Sequence, residues 1–189
     1  MPNWCNNELT VTGDKESRDR FYNENRSDDS ELTFTKAVPE KEPTCESHVA
    51  IWGTKWDACD VQVDHEYSTY NFNTAWTPPE PWFYAIVEKY PTLRFTMQYS
   101  EPMMDFEGIM EGEDGEITEN SCWSYSEIRW NELLDTGVAE QYIAERASNE
   151  IEDIMEFLNE LNFDNSYAYV MEGRIEQFRA NFAQEEMAT

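Results

Sequence analysis

The hydrophobic period of this chain changes once, and that change limits its folds more than any other feature. Through about residue 120 the apolar residues mostly alternate, as strands require. "ELTVTG" (Glu8–Gly13) puts Leu9 and Val11 on one face. "ELTFTKAV" (Glu31–Val38) alternates through Leu32 and Phe34. "DVQVDHEYSTYNFNTAW" (Asp60–Trp76) holds two strands, with Val61 and Val63 on one face and Tyr70, Phe72 and Thr74 on another. "LRFTMQYS" (Leu93–Ser100) aligns Leu93, Phe95, Met97 and Tyr99. "DFEGIMEGEDGEITE" reads as a hairpin, because Asp114-Gly115 is the strongest local turn signal in it.

Two helices interrupt the alternation. "DKESRDRFYNEN" opens on a capping Asp14 or Ser17 and carries Phe21 and Tyr22. "TPPEPWFYAIVEKYP" has prolines suited to a first turn, Glu80 suited to the helix dipole, and Phe83, Ile86, Val87 and Tyr90 at helical spacing. Between Val38 and Asp60 the prolines and Gly53 predict a long connection with one helical turn near Ser47–Trp52. The order is β-α-β, a connection, β(β)-α-β and a hairpin. Split βαβ pairs of this kind make an α+β, ferredoxin-like antiparallel sheet with helices on one face.

From about Ser126 the period becomes helical. "SEIRWNELLDTG" ends at Gly137, "VAEQYIAERASNEIEDIMEFLNELN" makes one long helix or two, and "YVMEGRIEQFRANFAQEE" sets Ile175, Phe178 and Phe182 on one side. We therefore expect an α+β domain over 1–122 and an acidic helical extension over 123–189.

Charge follows the same division. The formal net charge of the 189 residues is −27, and residues 101–189 carry 23 acids against 4 bases, with no lysine after Lys89. Each phosphate contact needs a cation, so nucleic acid and anionic membrane are poor direct partners. A basic protein surface would be attracted. Solubility alone is the plainer meaning of the same charge. No apolar run approaches the roughly 18 to 20 residues that span a bilayer, and the N-terminus lacks the pattern of a secretory signal. These features predict a cytoplasmic protein. Cys5, Cys45, Cys59 and Cys122 are scattered, which favours free thiols over disulfides. Cys45 and His48, with Cys59 and His65, have a metal-like spacing, but the second pair is spread along a strand; no metal or other cofactor is assigned.

"MPNWCNNELTVTG" and "NFNTAWTPPEPWFYAIVEKYPTLRFTMQYSEPMMDFEG" (Asn71–Gly108) together resemble a family of plasmid and phage proteins, the YubB-like or Api-type group, over roughly residues 1–120. The resemblance implies a mobile-element origin and a ferredoxin-like domain of unknown function, with no reaction and no catalytic residues. Trp4 is then a core or rim aromatic. Asn3, Asn6 and Asn7 serve either the backbone at the strand entry or a binding role.

Enzyme signatures are thin: there is no phosphate loop, no G-x-S-x-G elbow and no H-E-x-x-H. Asp105 and Glu107 are the least arbitrary carboxylate pair for a Mg²⁺-dependent hydrolase, and a solvated strand edge explains them as well. A clearer constellation lies on 150–161. Ile151, Ile154, Met155, Leu158 and Leu161 form an apolar helical stripe. Glu152, Asp153, Glu156 and Glu160 fill the opposite face, flanked by Glu150. Carboxylates at i and i+4 lie about 6 Å apart along the axis, close to the spacing of phosphates on a nucleic-acid strand. Glu111, Glu113, Asp114, Glu116 and Glu119 extend the acid from the hairpin.

The leading expectation is a phage or plasmid accessory protein that is not an enzyme. Its acidic, nucleic-acid-mimicking surface would bind and inhibit a host or defence protein that carries a basic nucleic-acid-binding surface. The alternative is a small-ligand or peptide binding module on the sheet, around Trp76 and Trp82, with the acid serving only solubility. The apolar stripe of the acidic helix leaves packing within the chain or across a homodimer open.

Overall fold

The computed structural model describes residues 3–40, 44–125, 127, 128 and 131. The chain divides into two compact units, Met1–Glu101 with Glu107–Cys122, and Pro102–Phe106 with Trp123–Thr189. Apart from Phe106, Trp123, the 3-10 turn at Pro102–Met104 and the helical residues after Ser124, the strands and helices that follow lie in the first.

Strand β1 (Trp4–Thr12) leads into α1 (Lys15–Asn25), then come α2 (Phe34–Ala37) and α3 (Cys45–Trp52). Strands β2 (Cys59–Asp64) and β3 (Thr69–Ala75), α4 (Glu80–Lys89) and β4 (Arg94–Glu101) follow. A 3-10 turn at Pro102–Met104 precedes β5 (Phe106–Glu113) and β6 (Glu116–Trp123). The sheet order is β2-β3-β1-β4-β5-β6. β1 lies antiparallel to both β3 and β4, and β2 antiparallel to β3. The first four strands thus have the split βαβ arrangement. The hairpin β5–β6 extends the sheet beyond β4, through Asp114 (φ 55°) and Gly115 (φ 81°). Left-handed backbone at both central residues is the turn that Asp-Gly favours.

Helices pack on one face of the sheet. Phe21 of α1 meets the rings of Tyr70, Tyr90 and Phe95, and Phe34 of α2 meets Trp52, Phe72 and Trp82. Val11, Leu9, Met97, Ile86 and Leu93 complete this core. Along β1 the alternation puts Cys5, Asn7, Leu9 and Val11 inward and Trp4, Asn6 and Glu8 outward. Asn7 is buried, and its amide donates to the Cys5 carbonyl (3.0 Å) and the Thr74 hydroxyl (2.9 Å). It therefore serves the strand entry, while Asn6 faces the other side.

The segment 31–38 corrects the expected second strand. It contains the short helix α2, and the strand that completes the first βαβ is β2, reached through α3. The cause is not local. The Asp57 carboxylate accepts from the Phe34 N–H (2.6 Å) and from the Thr33 hydroxyl, anchoring the start of α2 from 23 residues away. The expected helical turn at Ser47–Trp52 is α3, two residues longer at its start because Thr44 and Ser47 form a reciprocal cap. Among the described residues of the C-terminal segment, Tyr125, Glu127, Ile128 and Asn131 are helical. The acidic helix with Glu150, Glu152, Asp153, Glu156 and Glu160 lies outside the described residues. Among those described, no helix is long and apolar enough to cross a membrane.

Candidate functional site

Three tryptophans from separate segments meet at the start of β1. Trp4 opens that strand and pairs with Ala75 at the end of β3. Trp76 follows Ala75, and its N–H donates to the Asn3 carbonyl (3.0 Å). Trp56 arrives on the loop after α3, which ends at Gly53 in the left-handed conformation. A side chain there would meet Pro81 Cδ at 2.5 Å, so glycine allows the loop to pass α4 closely. Buried Thr54 fastens the loop: its hydroxyl donates to the Ala75 carbonyl and accepts from the Ala75 N–H, both at 3.1 Å.

The rings form a row. Trp4 and Trp56 centroids are 5.9 Å apart, and Trp56 and Trp76 are 6.2 Å apart with planes inclined by 29°. Each side chain stays 36–40 % exposed. The Lys55 ammonium lies 5.2 Å from the Trp56 centroid and 5.1 Å from the Trp76 centroid, within cation–π range of both. Trp76 has φ 69°. That conformation is rare for a bulky residue and costs about 1–3 kcal/mol. Beside the row, Asn73 of β3 donates toward Asp60 (3.4 Å) and pairs with Asn6 of β1. The neighbourhood is aromatic at its centre and polar to acidic at its rim.

The acids of the hairpin separate into two kinds. Glu111 accepts from Arg94 (3.2 Å) and from Thr96, and Glu119 is bonded to Ser121. Glu113, Asp114 and Glu116 stand at the tip, with no ion pair among the described residues.

Residues 51–157, more than half of the chain, match the family described as the ferredoxin-like domain in Api92-like protein. The chain belongs to that family. The matched stretch starts and ends later than the 1–120 suggested by the resemblance in sequence. The chain is also similar to the crystal structure of protein api92 from Yersinia pseudotuberculosis, at 14 % identity and a TM-score of 0.37. That similarity covers 46 % of this chain and 32 % of the other, so the chain spans about a third of that relative. No curated protein matches the sequence.

In this Api92-like chain the other candidate residues are dispersed. Cys45 is exposed, while His48 stacks on Trp52 and bonds both the Lys55 carbonyl (2.9 Å) and Glu40. Burial pulls the His48 pKa down, but its two acceptor partners outweigh burial and leave it raised above 6.5. His65 pairs with a different carboxylate, Glu31, at 3.4 Å. No group of three or more His, Cys, Asp or Glu side chains fit to hold a metal occurs among the described residues. Asp105 accepts a bond from the Ser124 hydroxyl (3.0 Å) and its carbonyl accepts from the Tyr125 N–H (3.4 Å), which ties it to the local turn. Trp82, paired with Trp76 in the sequence reading, is fully buried against Phe34, with ring centroids 4.5 Å apart, and has no access to a ligand. Trp4 and Trp56 are the residues that the sequence reading did not join to Trp76. Their common signal was an aromatic in each of three Gly- or Pro-flanked segments.

Proposed function

We propose that this chain is a binding protein of a mobile genetic element, acting without catalysis, and that the row Trp4–Trp56–Trp76 takes a basic side chain from a host or defence protein in the bacterial cytoplasm. The observation that carries this reading is Lys55: an ammonium of the chain itself lies over two of the rings. A lysine or arginine from a partner would find the same quadrupoles, and the net charge of −27 would draw it in. The strained Trp76 backbone supports the reading, since such strain gathers at binding sites.

Tryptophan fluorescence during titration with an oligolysine peptide tests it. Saturable quenching should weaken at least roughly tenfold in a Trp56→Ala/Trp76→Ala variant, the loss of one or two cation–π contacts. Unchanged affinity in a folded double variant would end the proposal.

A second reading, nucleic-acid mimicry that inhibits a nucleic-acid-handling enzyme, is favoured by the exposed tip Glu113, Asp114 and Glu116, without an ion pair among the described residues, and by the acid of residues 101–189. Such a complex should form at about 0.1 M salt and dissociate at about 0.5 M, because the screening length shortens. Changing Glu152, Glu156 and Glu160 to Lys should abolish it; retained binding would remove this reading.

A further inference from the structure

Arg18 of α1 is the one base with a buried, unpartnered side-chain nitrogen among the described residues of a protein with 40 acids and 13 bases. Its guanidinium makes no ion pair among the described residues. Nη1 donates to the Ser68 hydroxyl (2.8 Å), and Nε is buried without a hydrogen-bond partner. In the guanidinium plane Nε and Nη2 present the two parallel N–H bonds that match a carboxylate or phosphate edge. Leaving a buried charged donor unmatched is costly. Acids were available: Asp19 is on the same helix, but Lys15 holds it, and His65 pairs with Glu31.

Arg18 lines a cavity of about 200 Å3 between α1 and the β2–β3 turn. Tyr70, only 2 % exposed, lines the same cavity, and its hydroxyl has no hydrogen bond among the described residues. Ser68 is held there in the left-handed conformation (φ 53°), with its carbonyl bonded to the Val11 N–H (3.1 Å). A bidentate cation, a buried phenol and a fixed hydroxyl thus line one small cavity. Lys15, His65 and Tyr22 lie at its wall, as does the Asp19 carboxylate, whose charge Lys15 offsets.

We infer that this cavity is a binding site for a small oxyanion, a phosphate or a carboxylate, taken on the Nε–Nη2 edge of Arg18 and by the Tyr70 hydroxyl. The site is independent of the tryptophan row. The general negative charge sets a high threshold for entry, so the anion must be small enough to reach the guanidinium. Charge-assisted bonds to an arginine are among the strongest hydrogen bonds a protein offers.

Calorimetric titration of the full chain with inorganic phosphate, and separately with acetate, reads the site directly. Saturable binding of either anion is expected, and the tighter of the two names the class. Arg18→Gln should weaken it at least tenfold. Arg18→Lys should not restore it, because a point charge lacks the fork. Tyr70→Phe should weaken it several-fold while leaving the melting temperature unchanged, since the hydroxyl it removes has no hydrogen bond among the described residues. No saturable heat with either anion at millimolar concentration would overturn the inference. So would unaltered affinity in a folded Arg18→Gln or Tyr70→Phe protein.

Discussion

Two groups of tryptophans flank the loop that joins α3 to β2. Trp52 and Trp82 are buried and meet Phe34 edge-on or tilted. Trp4, Trp56 and Trp76 stand in a row with more than a third of each side chain in solvent. The same residue type, within a few positions of the same glycine, is used once for cohesion and once for display. The difference is backbone geometry. Gly53 turns the chain after Trp52, and the left-handed Trp76 turns it after β3. The Gly53 turn precedes the displayed Trp56, and the left-handed backbone is that of the displayed Trp76 itself.

The sharpest way to break this contrast is Trp82→Ala. Removing a buried indole should cost about 3–5 kcal/mol, a large part of a typical domain's stability. Urea denaturation would read it, and a loss below about 1 kcal/mol would mean the core does not depend on that ring. Next is Asp57→Ala, beside Trp56 in sequence but directed at α2. It strips the Phe34 N–H and the Thr33 hydroxyl of their acceptor, with an expected loss of about 1–3 kcal/mol. Trp56→Ala, which alters only the displayed ring, should stay within about 1 kcal/mol on the same measurement.

Trp76→Asn sharpens the comparison further. Asparagine tolerates left-handed backbone, so stability should be held or slightly raised while peptide binding is lost. A binding-competent Asn variant would show that the ring has no recognition role.

The smallest effect is a pH dependence. His48 stacks on the buried Trp52 and bonds the carbonyl of Lys55, the residue that lies over the displayed rings. Its folded pKa is raised above 6.5. The stabilisation it contributes is therefore full below about pH 6.5 and is lost as the pH rises through the raised folded value. Thermal melts across pH 5.5 to 8 of wild type and His48→Gln should converge at the alkaline end. Parallel curves would show that the imidazolium contributes nothing.

Most of the sheet could be read from the sequence because its determinants are local. Alternation in β1, β3 and β4, the prolines before α4 and Asp114-Gly115 each act within a few residues. The segment Leu32–Ala37 misled because its alternation is real, but Asp57 supplies its hydrogen bonds from a distant loop. Trp82 misled for a related reason: a Pro-flanked tryptophan has no sequence signal that distinguishes a displayed ring from one folded under the helix. The row itself required Trp4, Trp56 and Trp76 to be brought together from three segments. Arg18 carried no signal either, because only the fold reveals which base has a buried nitrogen without a partner.

Among the described residues the sheet ends at β2 and β6. Asp60 and Asp64 lie on the first, Glu116 and Glu119 on the second, all exposed. An unpaired strand edge is a template for another copy to join by main-chain bonds. Here a second molecule would have to lay carboxylate against carboxylate along the seam. The acids thus act as insulation between identical molecules, so high concentration need not lead to fibrils. That protection weakens wherever the carboxylates become protonated.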